Sequence, residues 1–155
     1  MNTVNEETVN EELKNEVLAT YAAYLRAFNA NDIHSIDKLM QYPLAHIDNG
    51  RTNLVDTYPF KPAELVAAKQ WHATTDPSCE VFASTEKAHV ILRSANRVRS
   101  DGSLIETVSA FYALTRTPSG WKFFAISQRE RAATNHSTFP KRSRNNNDEC
   151  HCKTS

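Results

Sequence analysis

The sequence predicts an α+β fold in which N-terminal helices pack against a curved antiparallel sheet. As far as Met40, apolar side chains recur at three- and four-residue spacing, which is typical of amphipathic helices. From Leu44 onward they alternate with polar residues, in successive runs rich in β-branched and aromatic side chains. Helices followed by consecutive strands favour a layer of helices on one face of the sheet.

Composition limits the functions open to the chain. Its 155 residues suit one domain, and an apolar share of 40% is enough for a core. Eighteen basic residues balance eighteen acidic ones, which argues against a nucleic-acid surface. The chain starts with polar and acidic residues, and no run approaches the ~20 apolar residues of a membrane span. Because the three cysteines form no disulfide pattern, we expect a cytoplasmic protein with reduced thiols.

The first helix carries the strongest pattern. Thr8 and Glu11 have the form of a capping box, which predicts that the helix starts there. Asp32 is suited to cap a second, shorter helix that includes Met40 and ends before Pro43. The apolar face of the first helix consists of Val9, Leu13, Val17, Tyr21, Tyr24, Leu25 and Phe28.

The second part of the chain is predicted to form strands, with one more helix between them. Asn49-Gly50 predicts a hairpin, since both residues tolerate the positive φ of a type I′ turn. Pro62 suits the first turn of a third helix, whose buried side would include Leu65, Val66, Ala68 and Trp71. The following meander is predicted over Glu80–Ser84, Ala88–Val98, Leu104–Thr115 and Trp121–Gln128.

Both faces of the long strands carry apolar residues. Ala88, Val90 and Leu92 share one face, and Ile91 and Ala95 are assigned to the other. A sheet that is apolar on both sides needs a second covering surface, so we expect a homodimer formed through the outer face.

The end of the chain changes character. Residues 1–134 are expected to form the domain, and residues 135–155, with almost no apolar content, a disordered polar tail. Cys150-His151-Cys152 resembles a soft-metal triplet, but structural zinc normally needs four ligands. We therefore expect no metal there.

Eight short segments, in this order and spacing, are typical of one known superfamily: Tyr24–Asp32, Tyr42–Leu44, Asn49–Arg51, Trp71–His72, Lys87–Val90, Asp101–Gly102, Tyr112–Arg116 and Gly120–Phe123. With these segments the chain resembles the nuclear transport factor 2-like (NTF2-like) superfamily, in particular its polyketide-cyclase-like (SnoaL-like) branch and, within it, uncharacterised members. That resemblance implies a cone-shaped, cystatin-like roll, often dimeric, with a pocket between the first helix and the sheet. The superfamily includes isomerases, dehydratases and cyclases as well as members without catalysis.

His46 and Asp48 are the first candidates for chemistry. Two positions apart on a strand, they share a face, and a carboxylate beside an imidazole is the usual arrangement of a general base. A structural interpretation stands beside this one, in which Asp48 supports the Asn49-Gly50 turn and His46 is merely half buried.

Further candidates lie at the third helix and along the first. His72 or Tyr24 could serve as a proton donor, and Trp71 as an apolar wall of the pocket. Tyr21 and Phe28 could contact a ligand, although an aromatic stripe at helical spacing is more often core. We include Phe111 and Ser127 among the possible ligand contacts, and interpret Arg97 and Arg99 as solvated charge.

The motifs that bind nucleotide cofactors are missing, so no cofactor is expected. We therefore predict a pocket for a small apolar molecule that is cyclic or bears a carbonyl group, with cofactor-independent isomerase, dehydratase or cyclase chemistry by His46 and Asp48. The sequence leaves open whether the protein is an enzyme. The alternative is a non-catalytic ligand-binding or dimeric interaction module, which predicts a cavity lined almost wholly by apolar side chains.

Overall fold

The structure, a computed structural model, describes residues 3–132, which form helices on one face of a six-stranded sheet. The predicted α+β fold is confirmed. The polar tail and Cys150-His151-Cys152 lie outside the described residues. The helices are α1 (Thr3–Asn29), α2 (Ile33–Lys38) and α3 (Pro62–Lys69). The strands are β1 (Met40–Asp48), β2 (Arg51–Val55), β3 (Ala73–Ala83), β4 (Lys87–Val98), β5 (Leu104–Thr117) and β6 (Gly120–Ala132).

The strands lie in the order β2-β1-β6-β5-β4-β3. Four strand pairs are antiparallel, namely β1 with β2 and each neighbouring pair from β3 to β6, but β1 and β6 run parallel, so the sheet is not antiparallel throughout. No hairpin joins these two strands, and a parallel pair needs a long connection, which here is most of the domain. The predicted Asn49-Gly50 turn is present, with φ of 51° and 84°, and joins β1 to β2.

The start of α1 and the end of α2 differ from the sequence prediction. The first helix begins at Thr3, so Thr8 lies inside it and the capping-box interpretation is wrong. The second ends at Lys38, and Met40 and Pro43 belong to β1. The amide of Phe123 donates to the Leu39 carbonyl at 2.8 Å, so pairing with β6 replaces a further helical turn. Asp32 caps α2 as predicted, accepting a hydrogen bond from the Ser35 amide.

The strand β3 starts at Ala73, seven residues before its predicted start at Glu80. Asp76, with φ of 56°, and Pro77 interrupt the pattern, and the register shifts on either side of Ser78. A proline is tolerated here because β3 is an edge strand and a bulge leaves residues out of the ladder.

A bulge in β4 changes which residues face the helices. The register against β5 shifts between Leu92 and Ala95, with Arg93 and Ser94 both exposed. An extra residue reverses the alternation of side chains, so Ala95 and Arg97 lie on the inner face with Leu92. The assignment of Ala95 to the outer face and the interpretation of Arg97 as solvated charge are both wrong.

The core lies between α1 and the inner face of the sheet. Val17 is fully buried, and the rings of Tyr21 and Tyr24 lie 5.6 and 5.8 Å from that of Tyr112 on β5. Tyr24 also packs at 5.0 Å against Phe123, which is fully buried on β6. The aromatic stripe of the first helix is therefore mainly core. No helix of residues 3–132 is long and apolar enough to cross a membrane, and the cytoplasmic location stays a prediction.

Helix α3 is shorter and more exposed than the sequence indicates. Of its predicted buried side, Val66 and Ala68 are exposed, and Trp71 follows the helix rather than belonging to it. The helix ends at Gln70, which adopts a left-handed conformation with φ of 59° and whose amide donates to Val66. This conformation is strained for any residue with a Cβ atom.

We expect Gln70→Gly to raise the free energy of unfolding by roughly 0.5–1 kcal/mol, because glycine adopts the left-handed conformation without strain. Gln41→Gly is the matched control on an exposed position of β1, where glycine should lower stability by a similar amount. Urea denaturation of both variants measures the two changes. If both substitutions changed the free energy of unfolding in the same direction, the strain assigned to Gln70 would be contradicted.

Candidate functional site

A cleft of about 640 Å³ opens at the ends of β1 and β6. His46 is half buried in its wall, and its ring meets the Phe60 ring edge-on at 5.0 Å. We call this space the mouth cleft; its lining includes His46, Asp48, Phe60, Ser127, Gln128 and Glu130. Phe60 is the one aromatic wall of the mouth cleft, and its other lining residues are polar or charged, which makes it more polar than most small-molecule sites.

A second, much smaller space lies deeper, between α1 and the sheet. This interior cavity has a volume of about 20 Å³ and is lined by Tyr21, Tyr24, Phe28, Thr74, Arg97, Tyr112, Gln128 and others. A space of this size accepts one water-sized group and no larger ligand. The predicted enclosed pocket is thus largely filled by aromatic rings, and the mouth cleft is the larger of these two spaces.

The buried tyrosines in and near the interior cavity are uncharged. The hydroxyls of Tyr24 and Tyr58 share a buried hydrogen bond of 2.5 Å. Burial raises the pKa of Tyr24 and of Tyr58 well above the ordinary value, and burial does the same for the pKa of Tyr112. These phenols therefore stay protonated throughout the physiological range.

A network of charges joins the interior to the mouth cleft. The Nη1 of Arg97, whose side chain is 4% exposed, donates to Glu106 at 2.7 Å and to Glu130 at 3.0 Å. From the last turn of α3, Lys69 donates to Glu106 at 2.8 Å. The Gln128 amide donates to Glu130 at 3.2 Å. These five residues link α3 to three strands, and we call them the charge network.

Glu106 is the carboxylate at the centre of the charge network. Burial opposes its ionisation, but hydrogen bonds from Lys69 and Arg97 more than offset this and lower its pKa below the usual range. Glu106 is therefore ionised at neutral pH, and its charge is matched by two cations.

The structure brings some of the predicted site residues together. His46, Asp48 and Ser127 border the mouth cleft, while Tyr21, Tyr24 and Phe28 line the interior cavity. Among the described residues no hydrogen bond or ion pair joins His46 to Asp48, which is exposed at the end of β1. The base-and-partner arrangement therefore needs a side-chain movement, and it stays a prediction.

Other predicted residues lie elsewhere. His72 is exposed beyond α3 and lines neither space. His46 and His72 therefore do not face one cavity, which a mechanism with His46 as the base and His72 as the proton donor requires. Trp71 is buried, donates to Thr74 at 3.1 Å and packs on Phe28, which makes it a core anchor rather than a pocket wall. Phe111 lies on the outer face against His89, because its neighbour Tyr112 occupies the inner face.

Sequence reasoning missed the charge network. Glu106 had a visible signal, since it shares the alternation of Val108, Ala110 and Tyr112, and a carboxylate on an apolar strand face needs a partner. Arg97 had no such signal in the sequence, because its position on the inner face depends on the bulge in β4. Phe60 comes from the segment between β2 and α3, where no periodicity applies.

Comparison with known proteins identifies the fold. No protein-family model matches the chain, and no curated protein is significantly similar to it in sequence. A candidate dehydratase of the NTF2-like family from Streptomyces avermitilis matches with a TM-score of 0.57 at 15% identity, over 77% of this chain and 96% of that one. A Nostoc punctiforme protein of unknown function, with a cystatin-like fold, matches with a TM-score of 0.59 at 8% identity, over 77% of this chain and 92% of that one.

A candidate ketosteroid isomerase from Shewanella frigidimarina matches with a TM-score of 0.52 at 8% identity, over 72% of this chain and 92% of that one. Together these similarities show that the chain has the NTF2-like, cystatin-like fold. At such low identities they show the fold alone, and the SnoaL-like branch stays a prediction.

We expect Glu106→Gln to lower the free energy of unfolding at neutral pH by roughly 2–3 kcal/mol, because buried Arg97 loses a charged partner. The matched control is Glu80→Gln, whose ion pair with Arg93 has the same 2.7 Å separation but is exposed. Its loss should cost less than ~1 kcal/mol. Chemical denaturation at neutral pH measures the free energy of unfolding of both variants and so compares the two losses.

The stability difference between wild type and Glu106→Gln should also depend on pH. Because the folded-state pKa of Glu106 is lowered, its contribution is present above the unfolded-state pKa and is lost as the pH falls through the folded-state pKa. The stability gap between wild type and Glu106→Gln should therefore narrow in acid. A gap that stays constant with pH would contradict the role given to Glu106.

Proposed function

We propose that the protein binds a small carbonyl-bearing or cyclic molecule in the mouth cleft and acts on it by cofactor-independent proton transfer, as an isomerase, dehydratase or cyclase. The observation that carries this proposal is the convergence of His46, Gln128 and Glu130 beside the ring of Phe60. A purely apolar binding module would not gather polar side chains at its opening. The ligand is accordingly one with polar groups, such as the carbonyl group already expected from the sequence.

His46 is the proposed general base. Imidazole is the side chain used most often for proton transfer, and His46 is half buried yet open to the cleft. In an isomerisation it would take a proton from the carbon next to a ligand carbonyl and return it at another carbon. Asp48, at the end of the same strand, can orient the ring when a ligand closes the site, since catalytic hydrogen bonds are often long in the free protein.

Tyr24 is the proposed proton donor in place of His72. Its raised pKa keeps it protonated, and Tyr24 lines the interior cavity, which Gln128 also lines. A candidate dehydratase and a candidate ketosteroid isomerase share this fold, which agrees with the reaction class and identifies no substrate.

We expect His46→Ala to weaken binding of cyclic ketones by about tenfold and to abolish turnover of any substrate found among them, with the fold unchanged. His72→Ala is the matched control and should change neither quantity. Heteronuclear NMR titration of a ketone library checks binding, with resonances of His46, Phe60 and Gln128 as reporters. Equal effects of the two substitutions, or binding that leaves these reporters unmoved, would contradict the proposal.

The alternative function, a dimeric interaction module, is favoured by one further observation. The outer sheet face exposes large apolar residues, with Phe82 at 57% and Leu54 at 71% exposure, and Ile91 and Phe111 half exposed between them. Cross-strand pairing places Ile91 opposite Phe111, so the patch is continuous over β4 and β5. We propose that this face forms a homodimer, which is compatible with a ligand site on the inner face.

Ile91→Lys should convert that dimer into a monomer, because a charge would then be buried at the centre of an apolar interface. The control is Val9→Lys, an exposed apolar residue of α1 that is 48% exposed. Sedimentation velocity at several concentrations gives the masses. A wild-type protein that is monomeric throughout would rule out the homodimer.

A further inference from the structure

An apolar groove of about 520 Å³ lies between α1 and the edge strand β3. It shares no lining residue with the mouth cleft, and we call it the α1–β3 groove. A concave space of this volume with apolar walls and few polar groups is the usual form of a small-molecule site. Its lining residues are the apolar Leu18, Tyr21, Ala22, Leu25, Pro77 and Cys79 and the polar Arg26 and Asn29.

Local structure in α1 and β3 determines the shape of the groove. At one end, the Asn29 amide donates to the Thr74 carbonyl at 3.0 Å, and the Thr74 amide donates back to Asn29 at 2.9 Å. These two hydrogen bonds tie the helix to the strand. The other side of the groove is formed at the bulge of β3, where Pro77 follows Asp76 with its φ of 56°. A bulge bends its strand, which here shapes a surface at the edge of the sheet.

The groove leaves apolar surface open to solvent. Leu18 is 40% exposed, and Leu25 and Cys79 are half buried. Covering such surface is favourable in proportion to the area removed from water. From Leu18 to Asn29 the groove follows α1 for about 16 Å, at roughly 1.5 Å per residue. An elongated apolar space of this kind suits an alkyl chain.

Arg26 supplies the charge at this site. It is exposed, and it is the one charged residue among the described residues that line the groove. Within residues 3–132 its side chain has no described hydrogen bond or ion pair. The four positions one helical turn away, 22, 23, 29 and 30, hold only alanine and asparagine. The positive charge beside the apolar walls is therefore available to an anion from outside the chain.

The chemistry of guanidinium selects the kind of anion. Arginine pairs with a carboxylate through two parallel N–H···O hydrogen bonds, which are charge-assisted and directional. Electrostatic complementarity then favours an apolar molecule with a carboxylate at one end over a neutral or cationic molecule of the same shape. The amide of Asn29 does not compete for this carboxylate, because Thr74 already binds it.

We propose that the α1–β3 groove binds an apolar carboxylate of the fatty-acid type, with its alkyl chain against Leu18, Leu25 and Pro77 and its carboxylate on Arg26. This second ligand site is separate from the mouth cleft and does not depend on the function proposed for that cleft.

The test compares octanoate, octan-1-ol and octylammonium, which share one alkyl chain and differ in the charge of the head group. NMR titration of the ¹⁵N-labelled full chain uses the amides of Leu18, Ala22 and Cys79 as reporters of the groove, and those of His46 and Phe60 as reporters of the mouth cleft. We expect octanoate to move the groove reporters and to bind about fivefold more tightly than octan-1-ol, with octylammonium the weakest. Equal affinities of octanoate and octylammonium would overturn the proposal.

A charge variant tests the role of Arg26. Arg26→Gln should lower the affinity for octanoate about fivefold, to that of octan-1-ol, and leave the affinity for octan-1-ol unchanged. Lys38→Gln is the matched control, since it removes the same charge from the last turn of α2 and should keep the preference. Arg26 also lies in the last turn of its helix, where a cation is favourable to the helix dipole. If Arg26→Gln alters only the urea denaturation midpoint and the preference persists, the role of Arg26 is structural and the proposal fails.

A wall variant tests the position of the alkyl chain. Leu18→Asn should weaken octanoate and octan-1-ol by the same factor, about fivefold, because both lose the same apolar contact. Val9→Asn is the matched control on an exposed position of α1 outside the groove, and it should change neither affinity. Equal weakening by both substitutions would contradict a site at Leu18.

The two sets of reporters separate this inference from the proposed function. Octanoate that moves the amides of His46 and Phe60 while those of Leu18 and Cys79 stay unmoved would overturn the α1–β3 groove as its site and leave the mouth cleft as a ligand site. Movement of the groove reporters alone supports the inference, whatever cyclic ketones do at the mouth cleft. Octanoate that moves neither set would overturn the inference and leave the proposed function to its own test.

Discussion

The pairing of Arg97 with Glu106 is the constraint on which the rest of the site depends. Both side chains are almost fully buried, and neither can lose its partner without leaving a charge in an apolar surrounding. Lys69 extends the pairing to α3, whose own apolar contacts are few. The position of this short helix, and of the segment before it that supplies Phe60, therefore depends on electrostatic attachment as well as on packing.

This arrangement explains why the larger of the two spaces lies at the mouth and the smaller one in the interior. The inner face of the sheet and α1 are filled by aromatic rings that pack tilted or edge-on, as at Tyr24, Tyr112 and Phe123. What the rings leave is the interior cavity of about 20 Å³. Charged groups accumulate where the rings end, and Glu130 belongs both to the charge network and to the lining of the open cleft.

The two proposed roles of the domain use different surfaces. The inner face and the mouth cleft hold the polar groups that proton transfer needs, whereas the outer face carries exposed apolar residues such as Phe82 and Ile91. Association through the outer face would cover apolar surface without closing the cleft. A dimer and a ligand site can therefore coexist in this fold, and evidence for one is not evidence against the other.

The sequence by itself determined the fold class, the helix and hairpin signals at Asp32 and Asn49-Gly50, and the aromatic face of α1. Each depends on local geometry or on a regular period, which neighbouring residues specify. It also singled out His46, because alternation on β1 is undisturbed near the turn. The tertiary structure decided the rest: the parallel pairing of β1 with β6, the exposure of His72 and the burial of Arg97. A single bulge reverses the alternation along β4, and contacts between distant strands, not local sequence, determine where that bulge forms.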